Sequence, residues 1–434
     1  MNTTNSDAHD EYHALLARQD ARRLRQQLLG PAPRWIPPSE PAPHQARRGD
    51  FTGKGYGDEP ADQQMIIRSI PLVSPFSELI DHLYEAMFER HPYLRGLFPD
   101  SMEFQRTHLA GAFSYLIENL HQPDVILAFC TRLGRDHRKL GVRPAHYKAF
   151  ETALAEALRR FSGRGWTADM EQEWLRMLRF AVAAMVDGAE QALSEPACWH
   201  ATVTSHQLRS ASLAVLRVRT YEPYPYRAGQ YASIQSPLLP NSWRPYVIAC
   251  APRSGAELEF HIRLVGSGGV SEALVARTRV GDTLRLGPAQ GTVTLDGDPT
   301  RDVLIVAEGT GWATAKALLE ELTLQRQPGR TAHLFLGART LDDLYDTLAL
   351  AGVGDGRAWL RVVPVIGESY GSVEGDPVAE AVARSGDWSK HLACVSGSPA
   401  TVTATVRRLA AMNVPPGRIR HDPVTRPAFL PLSQ

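Results

Sequence analysis

The sequence predicts three domains in series: an all-α domain, then an antiparallel β-barrel, then an α/β domain with a doubly wound parallel sheet. Three observations carry this. Apolar residues recur at helical spacing from about residue 68 to 195. From residue 196 the texture changes to short alternating strands rich in Val, Thr and Ser. From about residue 300, buried strands alternate with helices. A chain of 434 residues is also too long for a single core.

Residues 1–60 read as an extension that is disordered or weakly helical, polar and rich in Arg and Pro. A short amphipathic helix is expected around Glu11–Leu29, where Leu15, Leu16, Leu24, Leu28 and Leu29 recur at helical spacing. Residues 61–195 form the all-α domain. Stretches such as FSELIDHLYEAMFERH and EQEWLRMLRFAVAAMVDGAEQAL place apolar side chains at i, i+3, i+4 and i+7, and Pro92, Pro99, Pro123 and Pro144 punctuate them. Residues 196–297 form the barrel, with strands expected in GQYASIQSP, RPYVIACAP, LEFHIRLV and DTLRLGPAQGTVTL. Residues 298–434 form the α/β domain. VLIVAE, TAHLFLGA, LRVVPVI and HLACVSG alternate there with helical segments, one of them near LDDLYDTLALA.

Composition narrows the function. Lys+Arg and Asp+Glu both number 47, and this balance argues against a nucleic-acid partner. The four cysteines stand far apart without a CxxC pair, so neither a disulfide framework nor a structural zinc site is expected. The sequence has no apolar run long enough to span a membrane, and residues 1–30 lack the apolar core of a secretory leader. These features lead us to expect a cytoplasmic protein.

In the all-α domain, GRDHRKLGVRPAHY places His137 at a helix end, ten residues before Tyr147. Gln105 and Leu109 lie one turn apart on an earlier helix, and Tyr84 and Phe98 precede them. A haem needs one axial nitrogen, apolar walls and a few polar groups on the open face, which this set can provide. LYEAMFERHPYLRGLFPDSMEFQRTHL and DHRKLGVRPAHY resemble the two halves of a flavohaemoglobin globin domain. The resemblance implies haem b with His137 as iron ligand and Phe98 packed on the macrocycle. It implies Tyr84, Gln105 and Leu109 on the ligand side. It makes Tyr147 the proximal tyrosine that tunes His137 through a hydrogen bond. The family's glutamate on the last globin helix falls on Ala189, beside Glu190.

The remaining motifs resemble the reductase half of the same family. Arg244–Val247 (RPYV) resembles its R-x-Y-S/T flavin motif, which implies pyrophosphate binding by Arg244 and a flavin contact by Tyr246, with no hydroxyl at Val247. AGQYASI, with Gly229, Gln230 and Tyr231, resembles the strand before that motif. GSGGVSEAL resembles the segment after it, where Gly269, Val270 and Ser271 would face a phosphate of FAD. EGTGWATAKALL opens a helix after a buried strand, so Gly309, Thr310 and Gly311 are expected to let a pyrophosphate approach the backbone. Thr314 replaces the family's Pro there. CVSGSPATV resembles its C-G-P-x-x-M motif, keeping Gly397 but placing Ser396 at the cysteine and Thr401 at the methionine. Arg339 is a candidate for a ribose 2′-phosphate, which leaves NADH and NADPH both open.

The implied activity is nitric oxide dioxygenation. NAD(P)H reduces FAD, FAD passes single electrons to haem, and nitric oxide with O2 becomes nitrate. Two other readings fit the departures from the family pattern. One is an NAD(P)H-dependent reductase or oxidase serving another acceptor. The other is a haem-based gas or redox sensor with a decayed reductase.

Overall fold

The computed structural model describes residues 60–253, 255–297, 299–346, 357–367 and 375–422. The helix expected around Glu11–Leu29 lies outside these, as does the end of the one expected near residues 341–351. The chain divides into two compact units, Met1–Ala197 and Cys198–Gln434.

The described part of the first unit is helical. Its main helices are α1 (Pro60–Ser69), α2 (Phe76–Arg90), α3 (Glu103–Glu118), α4 (Pro123–His137), α5 (Pro144–Ser162) and α6 (Ala168–Gln191). Pro123 and Pro144 open α4 and α5, where a missing N–H costs nothing and the fixed φ suits the first turn. The Thr167 hydroxyl accepts the Met170 N–H and caps α6. The core gathers around fully buried Leu79, Ile80, Leu83, Leu154, Leu158 and Trp174. Trp174 Nε1 donates to Ser69 Oγ at 2.8 Å, and Ser69 donates to the Ile66 carbonyl at 2.7 Å. A buried polar chain therefore ties α1 to α6.

Helices α4 and α6 meet backbone to backbone. A Cβ on Gly134 would lie 1.9 Å from the Met185 carbonyl oxygen, and one on Gly188 would lie 2.1 Å from that of Thr131. Both glycines are there because nothing larger fits. Their contact seats the end of α4, and His137 is its last residue.

The second unit begins with six strands: β1 (Trp199–Ser210), β2 (Leu213–Thr220), β3 (Tyr231–Gln235), β4 (Arg244–Val247), β5 (Glu257–Arg263) and β6 (Thr283–Leu286). Their order is β4-β3-β6-β1-β2-β5, and each neighbouring pair is antiparallel. A bridge between Ile248 and Phe260 joins the edges and closes the sheet. The strand expected over Thr292–Leu295 does not form. Thr292 is instead tied to the end of the described chain, its N–H donating to Asp422 Oδ1 at 2.8 Å and its hydroxyl to the His421 carbonyl at 3.2 Å.

The α/β part follows: β7 (Val303–Glu308), α7 (Trp312–Leu324), β8 (Ala332–Ala338), β9 (Leu360–Ile366), α8 (Pro377–Ser385), β10 (Leu392–Ser396), α9 (Pro399–Ala411) and β11 (Ile419–Arg420). Near residue 341 the described chain makes a 3₁₀ turn, Leu341–Asp343. The sheet order is β11-β10-β7-β8-β9, and every pair is parallel. The chain moves outward from β7 to β9 and returns on the other side at β10. The reversal leaves a crevice at the C-terminal ends of β7 and β10, where open α/β sheets bind ligands.

A buried carboxylate, Glu259, ties the barrel to α7. Glu259 on β5 accepts from Arg217 Nε at 2.8 Å and from His261 Nε2 and Lys316 Nζ at 3.0 Å. Lys316 also donates to the Ala249 carbonyl at 3.0 Å and to Glu320 at 2.9 Å. With its Nε2 proton on Glu259, His261 accepts from the Tyr345 hydroxyl at 2.8 Å through Nδ1. Burial alone would push the Glu259 carboxyl up. The His261 hydrogen bond, the Lys316 charge and the Arg217 hydrogen bond outweigh it and hold the group well below the ordinary carboxylate range.

Two outcomes follow from this packing. Ala at an ordinary interior helix glycine stabilises by about 1 kcal/mol. Gly134→Ala should instead destabilise the helical unit by about 1–3 kcal/mol in thermal or denaturant unfolding, because the added methyl meets backbone. Because the folded Glu259 is the stronger acid, its stabilisation is present above the ordinary carboxylate pKa of 4.5 and is lost as pH falls below it. Lys316→Met should cost about 3–5 kcal/mol at neutral pH, and Glu259→Gln should flatten the acid limb of a stability-versus-pH curve.

Candidate functional site

In the helical unit, His137 Nδ1 lies 2.8 Å from the Leu133 carbonyl oxygen, one turn back on α4. A carbonyl can only accept, so the Nδ1 proton is fixed and Nε2 carries the lone pair that an iron requires. Burial lowers the imidazole pKa, against a smaller opposing effect of Asp136, and favours the neutral ring.

Tyr147 is the residue expected to reach His137 through a hydrogen bond. No hydrogen bond joins it to His137 among the described residues, because Leu133 takes the single Nδ1 proton. Tyr147 packs on α5 against the globin core, and burial pushes its hydroxyl pKa up, with Cys130 close by. Ala189, in the family's glutamate place, has no side-chain oxygen to accept that proton.

On the ligand side, Tyr84 is 6% exposed and sits in a ring cluster, with Phe98 edge-on at 5.6 Å and Phe88 stacked at 5.9 Å. Arg95 fixes the loop that presents Phe98, donating to the carbonyls of Phe98, Pro99 and Asp100 at 3.3, 2.8 and 3.0 Å. Burial pushes the Tyr84 hydroxyl pKa up and keeps it a proton donor, although the Arg106 charge pulls the other way. Tyr84 makes no hydrogen bond among the described residues. Gln105 Oε1 is buried and also unpartnered. A buried amide oxygen without a donor implies that something else completes its surroundings. With the His137 nitrogen and the apolar side chains of Phe98, Leu109 and Phe150 packed on the same core, these residues fit a haem.

In the reductase unit, Arg244 and Tyr246 lie on β4 beside β3, with Tyr246 opposite Ala232 and Arg244 opposite Ile234. Arg244 donates from Nη1 to the Trp243 carbonyl at 2.8 Å, and burial lowers its pKa. Burial pushes the Tyr246 hydroxyl pKa up and keeps it neutral. A half-buried guanidinium beside a neutral phenol suits a flavin dinucleotide, while Val247 adds no polar contact.

Several other predicted contacts have local work instead. Gly229, at φ +87°, approaches the Val293 carbonyl so closely that a Cβ would lie 1.9 Å away. Gln230 accepts the Arg227 N–H at 2.9 Å and donates to the Gly291 carbonyl at 3.3 Å, and the Tyr231 hydroxyl donates to Gln290 at 3.2 Å. These three residues shape the barrel edge against residues 290–293. Ser271 accepts the Val265 N–H and donates to its carbonyl, at 3.0 and 3.1 Å, so its hydroxyl is committed. Val270 is buried and opens the helical segment Val270–Glu272, which continues as a π-turn to Arg277. Gly269 opens onto free space.

At the β7–β10 crevice, Gly309 has φ +56°, and Gly309, Thr310 and Gly311 form a 3₁₀ turn into α7. Gly311 packs against β10, where a Cβ would lie 2.3 Å from the Ser396 carbonyl oxygen. Gly397 lies against Glu308, whose Oε2 accepts the Ser398 N–H at 2.7 Å. Thr401, in the family's methionine place, donates to buried Asp376 at 2.7 Å and links α8 to α9. Arg339 is exposed just past β8. The sequence reading missed Arg263. Its Nη2 lies 3.9 Å from where a Gly309 Cβ would be, and it makes no hydrogen bond or ion pair among the described residues. A basic residue ending the strand before GSGG was the available signal. An open positive-φ turn facing an unpaired guanidinium suits an anionic dinucleotide.

A globin family model matches residues 81–185, and an oxidoreductase FAD-binding domain model matches residues 200–294. The chain is 30% identical over 228 residues to the ferredoxin–NAD(P)+ reductase component of the naphthalene 1,2-dioxygenase/salicylate 5-hydroxylase systems of a Ralstonia species, covering 51% of this chain and 67% of that one. It is 25% identical over 285 residues to a flavohemoprotein of Bacillus subtilis, covering 62% and 70%. A flavohemoglobin structure from Malassezia yamatoensis superposes with a TM-score of 0.67 at 17% identity, covering 83% of this chain and 98% of that one, and so shares the fold. Among the described residues no helix is long and apolar enough to cross a membrane. A globin carrying His137 and a reductase carrying Arg244 and the Gly309 turn make the chain an oxidoreductase with sites for haem, FAD and NAD(P), and it belongs to the flavohaemoglobin family.

Proposed function

We propose that the protein is an NADH- or NADPH-driven nitric oxide dioxygenase that converts nitric oxide and O2 to nitrate. The observation that carries this is that buried Tyr84 and the buried Oε1 of Gln105 have no hydrogen-bond partner among the described residues, in the helical unit where the Leu133 carbonyl holds His137 Nδ1 and leaves Nε2 free. A pocket that only relayed electrons has no need of unsatisfied donors and acceptors. When bound, haem supplies an iron site for O2, and FAD splits a hydride's electron pair into single electrons. His137 holds its ring in one tautomer through Leu133. The Tyr84 hydroxyl would donate to a diatomic ligand beside the rings of Phe88 and Phe98. In the reductase unit, Arg244 and Arg263 neutralise the two dinucleotides. The balance closes: each nitric oxide and O2 take up one electron to become nitrate, so one hydride serves two turnovers. On this reading residues 61–195 carry the haem, 196–297 the FAD and 298–434 the nicotinamide nucleotide. The four cysteines, all free, fit a reducing cytoplasm.

The test uses the full chain loaded with haem and FAD. Nitric oxide should accelerate O2-dependent NAD(P)H consumption, with nitrate formed in proportion. Tyr84→Phe should lower that rate by about tenfold or more while leaving NAD(P)H-to-FAD transfer intact. His137→Ala should abolish the haem absorption band. NAD(P)H oxidation indifferent to nitric oxide would overturn the proposal in favour of another acceptor, and a haem band without any NAD(P)H oxidation would favour a sensor. Separately, Arg263→Ala should raise KM for NADH by about 10–100-fold without loss of FAD, since a charge-assisted contact to phosphate is worth about 1.5–3 kcal/mol.

A further inference from the structure

Two positions where the chain departs from its family meet across the β7–β10 crevice. Thr314, in the third position of α7 and 2% exposed, donates from Oγ1 to Ser396 Oγ at 2.9 Å. Ser396 ends β10 and is part-exposed at the crevice. It is fixed twice, since its carbonyl also lies against Gly311, where a Cβ would clash at 2.3 Å. One lone pair of Ser396 Oγ therefore receives the Thr314 proton, and the Ser396 proton has no acceptor among the described residues. The neighbouring hydroxyls behave differently. Ser398 donates to Thr401 at 3.1 Å and Thr401 donates to buried Asp376, so that chain spends its protons inward. The Thr314–Ser396 chain leaves one proton uncommitted among the described residues. A hydrogen-bonded hydroxyl is also a better donor than a lone one, because each bond polarises the next.

We propose that Thr314 is a positioning residue for the nicotinamide: by donating to Ser396 Oγ it turns the Ser396 hydroxyl toward the crevice, where it donates to the carboxamide oxygen of NADH or NADPH. This rests on the reading that the crevice takes the nicotinamide nucleotide. The carboxamide presents a neutral planar acceptor beside the carbon that gives up the hydride, so holding it sets the ring's angle to the flavin. Thr314 acts through Ser396 and does not itself touch the ligand.

The test compares the FAD- and haem-loaded full chain with Thr314→Val, Thr314→Ser, Ser396→Ala and the double variant Thr314→Val/Ser396→Ala. Two readouts stand apart from turnover: binding of oxidised NAD+, titrated by its effect on flavin absorbance, and the long-wavelength charge-transfer band formed when NADH meets oxidised FAD. Thr314→Val should weaken NAD+ binding by about 3–10-fold and diminish the band, as expected for one neutral hydrogen bond. Thr314→Ser should restore both, and the double variant should be no worse than Ser396→Ala, because the two residues act in series. A Thr314→Val protein with wild-type binding and band would overturn the proposal. So would a double variant showing the two losses added, or a Thr314→Val protein of lowered Tm whose defects persist in Thr314→Ser. Absence of FAD reduction by either nucleotide in the unaltered chain is a separate result, which would overturn the crevice reading and this proposal with it.

Discussion

Both candidate sites are built where two backbones approach more closely than any Cβ would allow. In the globin unit, Gly134 and Gly188 let α4 lie directly on α6, and His137 leaves the end of that clamped helix. In the reductase unit, Gly311 brings the start of α7 against the end of β10, and Gly229 does the same for the barrel edge at Val293. Close approach of this kind needs no polar chemistry. It sets where the polar chemistry can stand, because a ligand nitrogen or a hydroxyl carried on rigid, packed backbone loses little entropy when it engages its target.

The electrostatics differ between the two units for a physical reason. The globin site is poor in charge. Burial favours the neutral form of His137 and pushes the Tyr84 and Tyr147 hydroxyl pKa up, and the His137 proton rests on a main-chain carbonyl. A neutral carbonyl draws less on that proton than a carboxylate would, so the imidazole donates less electron density. The reductase unit has to hold anionic dinucleotides and is correspondingly rich in fixed cations, with Arg244 at the barrel and Arg263 beside the Gly309 turn. Its half-buried cation, Lys316, is consumed by Glu259 and Glu320 in holding the barrel to α7.

Several departures from the family pattern read in isolation as losses. In the folded chain they are absorbed into neighbouring hydrogen bonds. Thr314 and Ser396 are partners, and Thr401 joins α9 to Asp376 at the start of α8. Val247 stands apart: it lies on β4 opposite Tyr231 and gains no such partner. Neither the pairing nor the exception could be read along the chain, since residues 314 and 396 are 82 positions apart.

What the sequence determined by itself was whatever depends on local period and local spacing. Helical periodicity, strand alternation and the βα order established three textures and their order. The spacing of Tyr84, Phe98, Gln105, His137 and Tyr147, read with the family resemblance, marked His137 as the candidate haem ligand. Tertiary structure alone decided who holds each group. A single Nδ1 proton can serve one acceptor, and the turn geometry of α4 awarded it to Leu133 instead of Tyr147. Ser271, Gln230 and Tyr231 matched flavin motifs by position, yet nearby Val265, Arg227 and Gln290 satisfy them first. Arg263 matched no motif and became visible only when β5 was placed beside the Gly309 turn. Hydrogen-bond capacity is finite and distances are short, so which motif residues remain available to a ligand is a property of the folded neighbourhood.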